Sequence, residues 1–285
     1  MFFYYNENHS HYFFLLSNIL MKPNRRFAAL VAQMTLLGFS VSASAFHPLV
    51  TDDTGTQGSG GKQFEFALYK ERARVAGNIE RLRTLPIVYT RGLGETLDVF
   101  AGFSHARIQA SAPGGNASGS SNPAFGAKWR FYEIERSKTG FALKPEILLP
   151  VSAGREAAGL GKGRTSANLT LIFTQEVPFG AVHINAGVGR DRYRDSLNNP
   201  GTTTTRASIA PVWDVTDQWK LALDLGTESA RAAGVKARSN LAELAAIYSP
   251  GKDLDFALGI LRSSDNDSPG ATRHTATAGI TWRFR

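Results

Sequence analysis

Cysteine is absent from the chain, and only 20% of its 285 residues are charged. The first absence excludes a disulfide framework and cysteine-ligated metal sites. The second excludes a solvated, disordered polymer. Long amphipathic helices are also missing beyond residue 45, where no stretch keeps its apolar residues at helical spacing over several turns. A formal charge of +8 raises the question of nucleic acid. No basic run with interleaved aromatics accompanies it, so nucleic acid is excluded as a partner. Nucleotide chemistry lacks its motif as well: Gly161-Lys162-Gly163-Arg164-Thr165 places a glycine where a phosphate loop needs Ser or Thr directly after the lysine.

The paired Asp52 and Asp53 lack the alternating ligands and terminal Glu of a calcium loop. No Gly-x-Ser-x-Gly elbow accompanies His47, His105, His183 or His274, and His105 and Ser104, adjacent in sequence, point to opposite faces of a strand. A serine beside His183 would be the sign of a lipid-modifying enzyme. The reading is therefore of a non-enzyme with no cofactor and no metal.

What is present begins with a leader. From Met21 the chain runs Met-Lys-Pro-Asn-Arg-Arg, then apolar residues 27–41, then Ser42-Ala43-Ser44-Ala45. A basic start, a short apolar core and small residues at the cleavage positions make residues 21–45 a secretory signal, with the mature chain expected to start at Phe46. Residues 1–20 read as an over-extended start. Residues 46–61, rich in Gly, Ser, Thr and Asp, suit neither helix nor strand and read as a periplasmic lead-in.

From residue 62 to residue 285 the dominant signal is alternation with period two. Ala276, Ala278, Ile280, Trp282 and Phe284 share one face of the last strand; Thr275, Thr277, Gly279, Thr281 and Arg283 share the other. The same pattern recurs from Phe64, Leu82, Leu97, Phe125, Phe141, Ala167, Ala181, Thr205, Leu221, Asn240 and Leu254, which makes about twelve strands. Connections alternate in length. Residues 92–95, 177–180, 215–218 and 249–252 make tight turns; 109–122, 152–164, 194–203, 229–237 and 263–272 are long and polar. A barrel threaded through a membrane sorts its loops this way, and a soluble sandwich has no reason to. The fold class expected is all-β, a transmembrane antiparallel β-barrel of outer-membrane type.

Charges at the alternate positions must then face a lumen, since a basic side chain at the bilayer midplane costs about 2–4 kcal/mol. The candidate lumen-lining residues are Asp98, Lys128, Arg130, Lys144, Glu146, His183, Asp224 and Arg283. Lys128, Arg130, Lys144 and Glu146 are expected to form a charged ladder giving mild anion preference. Basic residues of the outer loops and strand ends, including Arg155, Lys162, Arg194, Arg238 and Arg273, suggest contact with lipopolysaccharide.

Three stretches also resemble a known family. They are Thr51-Asp52-Asp53-Thr54-Gly55-Thr56, residues 123–131 (Pro-Ala-Phe-Gly-Ala-Lys-Trp-Arg-Phe) and residues 142–150 (Ala-Leu-Lys-Pro-Glu-Ile-Leu-Leu-Pro). The family is the outer-membrane barrel family named for a meta-pathway of phenol degradation. The resemblance implies a barrel passing small, often aromatic solutes, with no catalytic residues to carry over. The partners expected are outer-membrane lipid and lipopolysaccharide, a small-molecule solute, and the barrel-assembly machinery. A plugged structural barrel and a lipid-modifying enzyme stand as alternatives.

Overall fold

The computed structural model describes residues 48–285, apart from 76–77, 111–114, 195, 197–198 and 267–270. The expected leader, its cleavage site and the residues before it lie outside that set. The described chain forms β1 (Lys62–Val75), β2 (Asn78–Gly92), β3 (Leu97–Ala110), β4 (Ala117–Ser120), β5 (Ala124–Ile134), β6 (Thr139–Leu148), β7 (Ser166–Val177), β8 (Gly180–Asp191), β9 (Thr202–Asp214), β10 (Trp219–Ala232), β11 (Val235–Gly251), β12 (Leu254–Asp265) and β13 (Thr272–Phe284). One short helix, α1 (Ala153–Ala157), lies between β6 and β7.

Each long strand pairs antiparallel with its neighbours in sequence, and β1 pairs with both β2 and β13. The sheet therefore closes on itself, which removes the unpaired edges that hydrocarbon cannot satisfy. Twelve strands make the ring. β4 and β5 lie end to end along β3: Ala117–Ser120 face Ile108 to His105, and Ala124 to Trp129 face Gly102 to Leu97. The expected loop over 109–122 thus contains a wall segment.

One other connection differs from expectation. Residues 229–237 do not form a loop; β10 and β11 pair through Ala232 and Val235 and meet in a two-residue turn. Ala233 and Gly234 both take positive φ, 47° and 81°, as the tight turn matching the strand twist demands. Polar residues looked like loop because the strands here run on into water. The β5–β6 turn takes residues 135–138.

Outward positions are apolar across the middle of the wall. Leu223, Leu244 and Ile260 lie opposite one another on consecutive strands, with Leu244 67% and Ile260 71% exposed. Aromatics gather at the end bearing the tight turns, as in Phe64 against Tyr89 (5.0 Å), Trp282 against Phe284 (4.8 Å) and Trp219 against Tyr248 (4.8 Å). This is the interfacial girdle of a membrane barrel at its periplasmic rim.

Candidate functional site: a lumen occupied by the N-terminal segment

Twelve strands about 4.8 Å apart and tilted near 40° enclose a backbone radius of about 12 Å. Most of that bore would fill with side chains, but several inward positions are small: Ala210 on β9, Ala222 on β10, Ala245 on β11 and Gly259 on β12. The space they leave is taken by the lead-in. Leu49 packs against Ala210, Val212, Ala222 and Ala245, and a Cβ on Gly259 would meet Pro48 Cγ at 2.8 Å.

From there the segment crosses the lumen on polar contacts. The Thr51 backbone N donates to Asp224 Oδ2 at 2.7 Å, and its hydroxyl lies 2.7 Å from both Asp224 Oδ1 and Ser208 Oγ. Asp52, 2% exposed, receives Lys144 Nζ at 2.6 Å and Lys128 Nζ at 3.4 Å. With its amide oriented to satisfy both atoms, Asn185 accepts from Asp52 N (2.7 Å) and donates to Asp52 O (3.0 Å). Lys128 also reaches the Asp53 carbonyl at 3.3 Å and Asp53 Oδ1 at 3.7 Å. Thr54 N donates to Thr174 Oγ1 at 3.1 Å, and that hydroxyl lies 3.0 Å from His183 Nδ1. Gln57 N meets both carboxylate oxygens of Asp98.

The segment leaves the lumen at the periplasmic rim. Thr56 donates to the Glu95 carbonyl in the turn between β2 and β3, and Gly92 N donates to Gly61 O at 2.8 Å. Gly92 is obligatory there, because a Cβ would stand 1.8 Å from the Gly58 carbonyl oxygen. Backbone approach that close excludes every other residue.

Electrostatics hold the segment in place. Burial alone would raise the Asp52 carboxyl; the ammonium groups of Lys128 and Lys144 outweigh it and hold the group down at about 2, against an ordinary 3.8. A pKa depressed in the docked state contributes stability that is complete above the ordinary value and lost as pH falls through the depressed one. The Asp52 contribution to docking should therefore be lost between about pH 4 and pH 2. A nitroxide placed at Gln57 should loosen as pH falls through that range. Full immobility at pH 2 would contradict this account.

Of the eight predicted lumen residues, Asp98, Lys128, Lys144 and Asp224 bind the lead-in directly, and His183 does so through Thr174. Glu146 instead accepts from Asn168 Nδ2 at 2.7 Å. Arg130 and Arg283 sit at the periplasmic rim, the first reaching Glu95 O at 3.0 Å and the second Asp255 Oδ2 at 2.6 Å. The expected charged ladder is thus dispersed, and its two central lysines face Asp52 and Asp53. The excess positive charge behind an anion preference is not there.

Sequence reasoning missed the two aspartates because it weighed them only as a calcium loop. A signal existed: two carboxylates among small hydroxyl residues, ahead of a wall whose inward positions include Lys128 and Lys144. The outer half of the lumen is also narrowed. The β6–β7 connection folds inward, with Val151 and Leu160 buried and Lys162 Nζ 2.6 Å from Asp191 Oδ1. Asn122 holds it through Leu149 O, Lys162 O and Lys162 N. Lys162 and Arg273, read as external cations, are buried and paired, the latter with Asp265 at 2.8 Å.

A closed twelve-strand antiparallel wall, apolar outside and charged within, defines an outer-membrane β-barrel. More particularly, the chain belongs to the family described as "Putative MetA-pathway of phenol degradation", which it matches over residues 31–284. No curated protein matches it in sequence. Among solved structures it is similar to the COG4313 outer membrane channel from Pseudomonas putida F1. That likeness has 13% identity and a TM-score of 0.68, over 81% of this chain and 98% of the other. The beta domain of the Bordetella autotransporter BrkA, also 13% identical, aligns at a TM-score of 0.51 over 79% of this chain and 100% of its own. At such identities the likeness is one of fold.

Proposed function

We propose that this barrel is a channel for small solutes whose lumen is constricted by its own N-terminal segment, residues 48–57. The observation that carries the reading is how that segment is held. Beyond Pro48 and Leu49, its described contacts with the wall are mainly ion pairs and hydrogen bonds to polar side chains. Those groups can be hydrated when the segment leaves, so the lumen is a surface built for water as well as for the segment. A permanently packed barrel interior would be better served by apolar side chains.

The family description directs attention to small aromatic solutes. Non-enzymatic function fits His183, whose neighbouring hydroxyl is Thr174, engaged by Thr54 N, where a hydrolase would place an activated nucleophile. Outer-leaflet lipid and the barrel-assembly machinery belong to this reading as partners.

Purified protein in planar bilayers tests it. The wild type should give small, interrupted conductance, and vesicles containing it should swell faster in a small phenolic solute than in a trisaccharide. Silence from both the wild type and a chain lacking residues 48–56 would leave the barrel a structural element.

A further inference from the structure

The outward face carries a second, separate feature. On β1 the outward residues run Phe64, Phe66, Leu68 and then Lys70, Arg72; on β2 the apolar Ile87 and Leu85 give way to Arg83 and Arg81; on β3 Phe103 is followed by His105 and Arg107; on β12 Ile260 is followed by Arg262. These side chains are exposed, and the strand register sets them side by side. Arg72 lies opposite Arg81, Lys70 opposite Arg83, and Arg83 opposite Arg107. On the other flank Arg72 faces His274, which faces Arg262. Like charges directly opposite in a sheet repel, yet three such pairs stand together.

Among the described residues of these strands, no carboxylate shares their face. The acidic residues of these strands, among them Glu65, Glu71 and Asp265, have the opposite parity and are turned into the lumen, where Glu71 and Asp265 lie with Arg273. On β10 and β11 the outward pair Thr227 and Asn240 is neutral, and beyond it a single opposed pair of cations stands, Arg231 and Lys236. The cluster over β12, β13, β1, β2 and β3 is the denser one, with three such pairs.

Its height is informative. A tilted strand advances about 2.5 Å along the membrane normal per residue. From the aromatic rim at Phe64, Lys70 and Arg72 lie about 15 to 20 Å up, near the outer limit of an apolar band about 25 Å tall. Their long side chains extend to the headgroup plane. We propose that this patch is a binding site for the phosphorylated glucosamine headgroup of lipid A. Arginine forks match phosphate oxygens bidentately, and here they supply the positive charge that divalent cations otherwise provide between neighbouring lipopolysaccharides. The inference rests on the outer-membrane placement of the barrel and is independent of whether the lumen conducts.

The test uses the full barrel purified in detergent and titrated with bisphosphorylated lipid A, with enzymatically dephosphorylated lipid A, and with inorganic phosphate, read by native mass spectrometry. Wild type should retain bisphosphorylated lipid A, and the triple variant Arg72→Gln, Arg81→Gln, Arg83→Gln should bind it about tenfold or more weakly. Arg190→Gln with Arg231→Gln, on the other side of the barrel, should bind like wild type. Equal binding by the triple variant would overturn the proposal. So would equal retention of the dephosphorylated lipid, which marks acyl contact alone, or competition by millimolar inorganic phosphate, which marks a site for free anions. The dephosphorylated lipid arm uses wild type and decides the matter even where the variant folds poorly. Heat-modifiable gel mobility reports folding, and conductance is recorded alongside. Loss of lipid A binding at wild-type conductance counts only against this site, whereas absent conductance with lipid A retained counts only against the channel.

Discussion

Asp52→Lys should turn a weakly conducting barrel into an open one, with a mean conductance several-fold above wild type and few closures. The substitution places a third ammonium beside Lys128 and Lys144, where a carboxylate 2.6 Å from one and 3.4 Å from the other now neutralises both. Removing one partner of a buried ion pair costs about 3–5 kcal/mol, and each 1.4 kcal/mol is about tenfold in an equilibrium constant. Docking of the segment should then fall by two orders of magnitude or more. The barrel itself should survive, because none of its strand pairings involves residue 52. Deleting residues 48–56 should give the same conductance. A charge exchange separates this mechanism from general damage: Asp52→Lys combined with Lys144→Asp should restore most of the closed behaviour, with a coupling of the size expected for groups in contact. Wild-type conductance in the single variant would show that the segment is no constriction.

The second large effect is on assembly. Leu223→Arg should abolish insertion, leaving little heat-modifiable barrel in outer-membrane fractions. Leu223 stands in the apolar row with Leu244 and Ile260, near mid-height, where an arginine costs about 2–4 kcal/mol. Its neighbour Asp224 faces inward and is fully buried against Thr51. Asp224→Arg should therefore assemble and, by ejecting Thr51, resemble the Asp52 variant in conductance. Two adjacent residues would then give opposite defects, one in membrane insertion and one in closure. Equal assembly of the two variants would contradict the assigned faces.

Much of this molecule is legible one strand at a time. Alternation with period two along Phe64–Leu68 or Ala276–Phe284 is a local property: successive side chains point to opposite faces whatever the rest of the chain does. Because a lipid-facing charge is so costly, the parity of Lys128, Lys144 and Asp224 also assigned them to the lumen before any contact was known. Strand number, antiparallel order and the inward charges follow from such local rules. The outer turn at Ala233-Gly234 does not, since polar strands continuing into water carry the composition of loops.

The occupant of the lumen was decided only by tertiary structure. Asp52 is separated by 76 residues from Lys128 and by 92 from Lys144, and no periodicity relates them. They meet because ring closure sets Lys62 beside Phe284 at the periplasmic rim, which leaves the preceding segment at the mouth of the bore. Small residues at Ala210, Ala222, Ala245 and Gly259 then admit it. Pairing of buried charges depends on distance in space, through Coulomb attraction in a medium that screens poorly. The sequence by itself thus determined the wall and which side chains face inward. Which of those side chains are neutralised, and by what, depended on the chain folding back into its own barrel.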